Sequence, residues 1–316
     1  MTPLPGSLVA VDWGTSSFRA YLVDSSGLTT ERIANTDGIL AVAQTEFPIR
    51  LKHHLAPWLD RLGPLPVVMS GMIGSRQGWV EAPYVPAPAT PGDVLAAVQS
   101  ITVDGLGPVL IAPGVMTRDN AGIADVMRGE ETQVFGALAL TETADGLFVV
   151  PGTHSKWISV DNGAISHFQT YMTGEIYAVL RDHSILGRLM PAAASSANTI
   201  SAGFRRGLDD IARHGSGPGG LLNRLFSVRT RGLFAELPAE QLPDYLSGIL
   251  IGAEIIEAAP SDRTVSIIAN ETLAARYRLA CQALGVACLT MPHDCVVAGL
   301  WAIASASRSQ VMRPSP

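Results

Sequence analysis

The chain has 316 residues, of which 47% are hydrophobic and 16% charged, and its net charge is −6. This length and composition suit a folded protein of two domains rather than a disordered segment. The acidic balance excludes nucleic acid as a partner, since such binding needs a basic face. The first residues do not read as a signal peptide, and no apolar run reaches the roughly 18 residues of a membrane helix. We therefore expect a cytoplasmic protein with no membrane partner.

Cysteine and lysine are both used sparingly. Cys281, Cys288 and Cys295 have a spacing that matches no zinc motif, and their odd number argues against a disulfide framework. We interpret them as small buried apolar residues. Lysine accounts for only two of the 22 cationic residues, Lys52 and Lys156. The setting of Lys156 is therefore more informative than that of a typical lysine.

In chain order, the sequence predicts alternating strands and helices, and the pattern of a strand, a polar turn and a strand occurs twice. The sequence therefore predicts an α/β fold. Strands are expected at residues 7–12, 18–24, 66–70, 109–112, 147–150, 157–160, 164–168, 264–269 and 286–289. Helices are expected over residues 38–62, 124–140, 177–208, 245–259, 273–284 and 296–305.

The first polar turn has the residue types of a phosphate site. Gly14 permits a tight turn, while Thr15, Ser16 and Ser17 supply short hydroxyl donors. Asp12 ends the preceding strand, where a carboxylate can hold Mg²⁺ through water. An ordinary polar hairpin is the alternative interpretation.

The second polar turn repeats this glycine-plus-hydroxyl chemistry with Gly152 and Thr153. Two such turns in one chain favour two phosphate-binding hairpins over coincidence. Lys156 follows the second turn and is predicted to contact phosphate or substrate, although a solvated surface charge is the alternative. His154 fits a site role and a packing role equally well.

A carboxylate-rich segment lies between the two turns. Asp125 is predicted to begin a helix and to act as the general base that accepts the proton of an attacking hydroxyl. Its alternative role is that of a helix cap. Arg128 is predicted to bind a substrate carboxylate through two parallel hydrogen bonds. Glu130 and Glu131 would orient Arg128 or a metal, or would form a solvated helix face.

Two further segments suit ligand contacts. A glycine-rich loop follows the strand at 66–70, and its alternative is a structural loop. A strand–loop–helix junction at residues 267–272 is a candidate adenosine contact through Asn270. The predicted substrate contacts beyond Arg128 are Ser70, Gly71, Met72, Arg76 and Tyr84.

Several enzyme classes lack their motifs here. No phosphate-binding loop of the G-x-x-x-x-G-K-[ST] type is present, and no G-x-G-x-x-G follows a strand. No histidine pair has metal-binding spacing, and no G-x-S-x-G nucleophile elbow occurs.

The order of these parts resembles the sugar-kinase branch of the actin/Hsp70/hexokinase superfamily. More closely, the chain is similar to the 2-dehydro-3-deoxygalactonokinase family over residues 9–300. The most specific matching strings are MSGMIGSRQGW, MRGEETQ and PGTHSKW. The resemblance implies a two-lobed fold with a cleft, in which residues 1–120 plus 296–316 form one lobe and 121–295 the other. A hinge is then expected near residues 118–124.

The resemblance also implies a reaction, namely ATP- and Mg²⁺-dependent phosphorylation of 2-dehydro-3-deoxy-D-galactonate at its terminal hydroxyl. It places Asp12 at the metal, both turns at the phosphates and Asp125 at the base position. At the adenosine junction the family pattern leads us to expect glycine where this chain has Asn270, whose side chain would crowd an adenine.

Three alternatives stay open. A kinase of the gluconate epimer differs by recognition of one hydroxyl. A superfamily phosphatase would activate water instead of a sugar hydroxyl, and a sensor would bind ATP without modifying a sugar. A homodimer is one expected assembly, although the sequence does not fix the oligomeric state.

Overall fold

A computed structural model describes residues 7–192, 200–213, 218–260, 262–292 and 295–311, with side chains up to residue 305. Two compact units account for the chain. The first comprises the described residues within 1–145, 159–168 and 294–316, and the second comprises those within 146–158 and 169–293. Among the described residues, we find no helix both long and apolar enough to cross a bilayer.

The strands, in chain order, are β1 (Leu8–Trp13), β2 (Phe18–Val23), β3 (Thr29–Asn35), β4 (Val67–Ser70), β5 (Tyr84–Pro86), β6 (Gln99–Ile101), β7 (Val109–Ile111), β8 (Gly114–Arg118), β9 (Ala124–Met127), β10 (Gly146–Val150), β11 (Ser155–Asp161), β12 (Ala164–Tyr171), β13 (Val265–Ile267) and β14 (Cys288–Thr290). The helices are α1 (Phe47–Leu62), α2 (Pro91–Ala96), α3 (Glu130–Thr141), α4 (Thr173–His183), α5 (Ala202–Ala212), α6 (Leu221–Leu233), α7 (Leu242–Ala258), α8 (Glu271–Ala283) and α9 (Cys295–Val311). Short 3-10 turns lie at Ile39–Ala41, Met72–Gly74, Gly187–Leu189 and Ala239–Gln241.

The main sheet of the first unit has the strand order β3-β2-β1-β4-β7-β6. Strand β1 lies near its centre, antiparallel to β2 and parallel to β4. Its side chains alternate between two cores, because successive residues of a strand point to opposite faces. Val9, Val11 and Trp13 pack in the core that contains α1, while Leu8 and Ala10 pack in the core that contains α9. A smaller sheet, β5-β8-β9, completes this unit.

Helices α3 and α9 of the first unit approach each other at glycine. A Cβ at residue 136 would lie 1.7 Å from the Cys295 carbonyl oxygen, and one at residue 299 would lie 1.8 Å from that of Thr132. Only glycine permits these two contacts, since real Cβ contacts below 3.0 Å essentially never occur.

The second sheet has the order β12-β11-β10-β13-β14, with β13 parallel to both β10 and β14. In the second unit, Leu147, Val149 and Trp157 pack against residues of α5, α7 and α8, including Phe204 and Tyr277. A second core there gathers α4, α6 and α7 around Tyr245. The outer part of the β11–β12 hairpin belongs to the first unit, where Ala89 and Ile165 form an antiparallel bridge.

The predicted α/β architecture is confirmed, but three element predictions need correction. The helix expected over 124–140 begins only at Glu130, because Gly129 has a φ of +108° that no helix contains. Residues 124–127 instead form β9, paired with β8. The helix expected over 38–62 begins at Phe47.

The third correction concerns the helix expected over residues 177–208. It is α4 followed by a 3-10 turn and the separate helix α5, and its residues 193–199 lie outside the described part. The predicted lobe boundary near residue 120 stays a prediction. Helix α3 belongs to the first unit.

Candidate active site

Asp12 and Ser70 lie side by side at the carboxyl ends of parallel strands. They are paired in the β1–β4 register, so the two side chains that end these strands share one sheet edge. Asp12 Oδ2 accepts a hydrogen bond from Arg19 Nη1 at 2.8 Å. Burial raises the pKa of Asp12 above its usual value, and Arg19 offsets part of that rise. The carboxylate therefore lies where a cation stabilises its charged form.

The first polar turn is held by main chain. The Gly14 N–H donates to the Ser17 carbonyl at 2.9 Å, and the Ile39 N–H donates to the Gly14 carbonyl at 3.0 Å. A Cβ at residue 38 would lie 2.3 Å from the Thr15 carbonyl oxygen, so glycine is required there. Thr15 and Ser16 are exposed, with their hydroxyls available to a ligand.

The loop after β4 brings Gly71 between two other site segments. Gly71 has a φ of +94°, and a Cβ there would lie 2.9 Å from the Trp13 carbonyl oxygen and 3.3 Å from Asp12 Oδ1. A Cβ at residue 129 would lie 3.2 Å from the Gly71 Cα. The structure thus gathers Asp12, Ser70, Gly71 and the segment before α3.

Arg128 has an unusual environment for a charged side chain. It is 8% exposed, lies 4.3 Å above the Tyr84 ring and donates from Nη2 to the Ala82 carbonyl at 2.8 Å. In the described part of the chain, its Nε and Nη1 have no hydrogen-bond partner, and neither does the buried Ser70 Oγ. A buried guanidinium with unused donors is costly, and an anionic ligand would satisfy it.

The three carboxylates near Arg128 have different settings. Asp125 lies on strand β9 opposite Thr117, where its Oδ1 accepts from the Val126 N–H at 2.7 Å, so it does not begin a helix as predicted. Glu130 begins α3, and its Oε2 accepts from the Arg128 N–H at 3.0 Å.

Glu131 is completely buried. Burial, with a smaller contribution from Glu130, raises its pKa to about 8, although it accepts hydrogen bonds from the Gly129 N–H and Thr132 Oγ1. The solvated helix face that the sequence allowed for Glu131 is therefore wrong.

Two predicted substrate residues have other environments. Met72 begins a 3-10 turn and packs against the core of the first unit. The Arg76 side chain is 86% exposed and pairs with Glu81 at 3.3 Å. The structure does not connect Arg76 to the group around Arg128, so its substrate role stays a prediction.

The second polar turn lies against the first residues of α4. A Cβ at residue 174 would lie 2.3 Å from the Gly152 carbonyl oxygen, and the Glu175 N–H donates to the Thr153 carbonyl at 2.9 Å. His154 Nε2 lies 2.5 Å from Glu175 Oε2. Lys156 is buried, and its Nζ donates to Thr170 Oγ1 at 2.7 Å, so its predicted phosphate contact stays a prediction.

A cavity of about 250 Å³ begins at this turn and lies wholly within the second unit. Gly152, Thr173 and Gly174 line one part of it, and residues of α8 line another. Its further lining residues include Tyr177, Arg181, Asp244, Leu273, Arg276 and Tyr277.

Arg276 and Asp244 form an ion pair in this cavity, with 2.7 Å between Nη2 and Oδ1. Sequence reasoning missed both residues, because they are 32 positions apart and neither belongs to a short motif. Gly174 was missed as well. Its only signal is a Thr-Gly-Glu segment that follows a strand.

Asn270 does not crowd this cavity. It is exposed and caps α8, where its Oδ1 accepts from the Leu273 N–H at 3.0 Å. The side chain that the family pattern did not lead us to expect therefore satisfies a helix end.

Comparisons with known proteins agree over nearly the whole chain. The family model of 2-keto-3-deoxy-galactonokinase matches residues 12–303. A 2-dehydro-3-deoxygalactonokinase of Escherichia coli (strain K12) is 34% identical over 302 residues, covering 94% of this chain and 97% of the relative. A crystal structure of a Sinorhizobium meliloti protein, whose name assigns it the same activity, has a TM-score of 0.84 at 36% identity and covers 95% and 99% of the two chains.

A more distant structure shows the fold alone. Component A of an Acidaminococcus fermentans (R)-2-hydroxyglutaryl-CoA dehydratase has a TM-score of 0.52 at 14% identity, and covers 95% of this chain and 99% of its own.

Fold, site chemistry and relatives together define a carbohydrate kinase with an α/β fold. The chain belongs to the 2-keto-3-deoxy-galactonokinase family, and the resemblance carried by its motifs is confirmed.

Proposed function

We propose that the protein transfers the γ-phosphoryl group of ATP to the terminal hydroxyl of 2-dehydro-3-deoxy-D-galactonate. The observation that carries this proposal is the buried Arg128 guanidinium, whose Nε and Nη1 lack partners in the described part of the chain. A sugar acid supplies the carboxylate that these donors require, while a neutral sugar does not. The name of the Escherichia coli relative supports the same substrate.

The residues that bind the sugar acid, which we call the sugar-acid group, lie in the first unit. Arg128 binds the carboxylate, Tyr84 holds the guanidinium plane, and Ser70 Oγ donates to a substrate oxygen. The Gly71 backbone lies against the sugar because no side chain covers it there. Met72 and Arg76 stay predicted contacts at the edge of this group.

The residues that bind the nucleotide lie in both polar turns. Gly14, Thr15, Ser16 and Ser17 contact phosphates in the first unit. In the second unit, Gly152 and Thr153 do so where the cavity begins, and the cavity takes the nucleoside. The first turn of α8, which Asn270 caps, lies beside the nucleoside.

Asp12 fits a Mg²⁺ ion held through water. Gly71 leaves space beside Asp12 Oδ1, which a Cβ would approach to 3.3 Å, while Arg19 holds the other oxygen. Within the described ranges, no three His, Cys, Asp or Glu side chains gather into a metal-binding group. Phosphate and water would therefore complete the shell, and Mg²⁺ would neutralise charge on the transferred group.

In the reaction, a carboxylate accepts the proton of the terminal hydroxyl as its oxygen attacks the γ-phosphorus, and ADP leaves with the bridging oxygen. Asp125 stays the predicted base. The start of the helix, on which that prediction rested, belongs to Glu130. The two carboxylates are therefore tested side by side.

The test measures ADP release with ATP, Mg²⁺ and either 2-dehydro-3-deoxy-galactonate or its gluconate epimer. Wild type, Asp125→Asn and Glu130→Gln are compared. We expect turnover with the galactonate compound and a loss on the order of a hundredfold in the variant that lacks the base. No turnover with either epimer, or ADP release without any sugar acid, would sink the proposal.

The cytoplasm stays the expected setting, because the proposed reaction consumes ATP. A homodimer stays one expected assembly, and sedimentation velocity would measure it.

A further inference from the structure

Glu254 is a buried carboxylate that the proposed reaction does not use. It lies on α7 and is 3% exposed. Its Oε1 accepts from Trp157 Nε1 at 2.8 Å, and its Oε2 accepts from Tyr277 OH at 2.7 Å and from Thr173 Oγ1. One carboxylate therefore collects three hydrogen bonds.

The three donors come from three elements around the nucleotide cavity. Trp157 lies on β11, directly after the second polar turn, and Thr173 is the first residue of α4, next to Gly174. Tyr277 lies on α8, and both Thr173 and Tyr277 line the cavity. Ser155, at the end of the same turn, lies 3.0 Å from Tyr277 OH through its Oγ. Strand β11, which follows the second polar turn, and helices α4 and α8 are thus all tied to Glu254.

A carboxylate is a costly choice for simple packing. Burial raises the pKa of Glu254, while the hydrogen bonds from Thr173, Trp157 and Tyr277 oppose that rise. An apolar side chain of similar size would fill the same space without a desolvation cost. A carboxylate, unlike an apolar side chain, can accept several hydrogen bonds and so hold their donors in fixed positions.

The chemistry of the donors is also unequal. The Trp157 N–H can only donate, so an oxygen must face it. The hydroxyls of Thr173 and Tyr277 can donate or accept. A glutamine can therefore replace Glu254 with its carbonyl oxygen at Trp157 and its amide group at the two hydroxyls. A leucine at this position would remove the acceptor from all three donors and leave Tyr277 OH with Ser155 Oγ alone.

We propose that Glu254 is a positioning residue for the nucleotide, which fixes the second polar turn, α4 and α8 around the cavity by gathering their hydrogen bonds. This inference rests on the proposed function, in which that cavity takes ATP. It predicts an effect on ATP binding that is separate from sugar-acid binding, because all of the tied elements lie in the second unit.

The test compares Glu254→Leu and Glu254→Gln with wild type. A matched control is Glu257→Ala, which removes an exposed carboxylate one turn further along α7. Steady-state kinetics give KM for ATP and for the sugar acid separately. Calorimetry with a non-hydrolysable ATP analogue gives the nucleotide affinity without turnover. Circular dichroism melts show which variants are folded.

We expect Glu254→Leu to raise KM for ATP and the analogue Kd about tenfold or more, with KM for the sugar acid changed less than about twofold. Glu254→Gln should stay within about threefold of wild type for ATP, and Glu257→Ala should match wild type. If Glu254→Leu does not fold, Trp157→Phe removes one donor alone and should raise the analogue Kd by a smaller factor.

Equal rises in both KM values, or an unchanged analogue Kd in a folded Glu254→Leu or Trp157→Phe variant, would overturn the inference. Failure of the proposed function looks different. Wild type would then bind the analogue without phosphorylating the sugar acid, and the analogue Kd of the variants would still test Glu254. A wild type that binds no analogue would overturn the inference as well.

Discussion

The two polar turns have similar sequences but are held in different ways. The first is braced by nearby main chain, because Gly38 abuts Thr15 and the Ile39 N–H bonds to Gly14. The second is braced by α4 through Gly174, and the preceding residue, Thr173, donates to the buried Glu254. The glycines that brace the two turns both follow them within about 25 positions, whereas Glu254 is about 100 positions from the second turn.

The side chains near the turns differ too. Near the first turn, the Asp37 carbonyl accepts a hydrogen bond from Trp13 Nε1 at 2.9 Å. The Asp37 carboxylate lies 2.9 Å from His54 Nε2. Near the second, one carboxylate meets a tryptophan, a threonine and a tyrosine. A glycine-plus-hydroxyl pattern thus specifies the turn itself, while the residues that support the turn are specified elsewhere and can differ.

The strongest way to break this comparison is to add a Cβ at the glycine that braces each turn. Gly38→Ala and Gly174→Ala would each place a methyl group 2.3 Å from a backbone carbonyl oxygen, so that turn must move. We expect kcat/KM for ATP to fall on the order of a hundredfold in both variants, since about 1 Å of displacement has that effect. Steady-state kinetics measure it, with circular dichroism to show folding.

Gly92→Ala is the matched control for both. Its Cβ would lie 3.6 Å from Thr90 Oγ1, an ordinary van der Waals contact, so kinetics like those of wild type are expected. Wild-type kcat/KM in either Gly38→Ala or Gly174→Ala would show that the corresponding turn does not need its glycine brace.

The comparison is sharpened by a variant that damages only the sugar-acid group. Arg128→Met should raise KM for the sugar acid by roughly tenfold to a hundredfold, the value of one or two charge-assisted hydrogen bonds. KM for ATP should change little. The melting temperature without ligand should stay the same or rise, because the variant removes a buried charge with unused donors.

Arg118→Met, on the neighbouring strand β8, removes an exposed arginine and serves as the control. Arg128→Lys separates charge from shape, because lysine keeps the charge but cannot form two parallel bonds. An Arg128→Met enzyme with an unchanged sugar-acid KM would remove Arg128 from the substrate site.

The buried carboxyl group of Glu131 has a smaller, pH-dependent effect. The pKa of Glu131 is about 8 in the folded protein, above the usual value of 4.5, with burial as the first cause. The folded state therefore binds this proton more tightly, so its stability contribution is greatest below pH 4.5 and falls as pH rises toward 8. Glu131→Gln carries no titrating proton and should lose less stability over that range.

Melting temperatures measured from pH 5 to pH 8 test this expectation. The variant should gain on wild type as pH rises, with the largest difference near pH 8. Parallel pH profiles of wild type and Glu131→Gln would contradict it.

His54 contributes a pH dependence of stability with the opposite slope. Burial lowers its pKa despite Asp37, so its protonation opposes folding as pH falls below 6.5. The Glu131 effect is therefore read from the difference between the two proteins.

Features that depend on neighbouring residues could be predicted from the sequence. Strands β1, β2 and β4 and the polar turns follow from short apolar runs with glycine and hydroxyl residues between them. The prediction that Asp125 begins a helix was wrong. Strand β9 is specified by its pairing with β8 and by the φ of Gly129, and neither can be read from hydrophobic periodicity. Strand β3 was missed because its residues are mostly exposed and include charges.

Long-range groups could not be predicted. The partners of Glu254 are 23, 81 and 97 positions away, and no local pattern connects them. The Arg276–Asp244 pair has the same property. For such groups a sequence shows which side chains exist but not which of them meet.

Asn270 gives the smallest expected effect and tests whether its side chain acts on the helix or on the nucleotide. Because Asn270 Oδ1 caps α8, Asn270→Ala should cost about 1 kcal/mol of unfolding free energy, while Asn270→Asp should keep most of the cap. KM for ATP should stay near the wild-type value in both variants, since the side chain is turned toward the helix end. Urea unfolding and steady-state kinetics measure the two quantities. A changed KM for ATP with unchanged stability would mean that Asn270 contacts the nucleotide, as the crowding predicted from the family pattern requires.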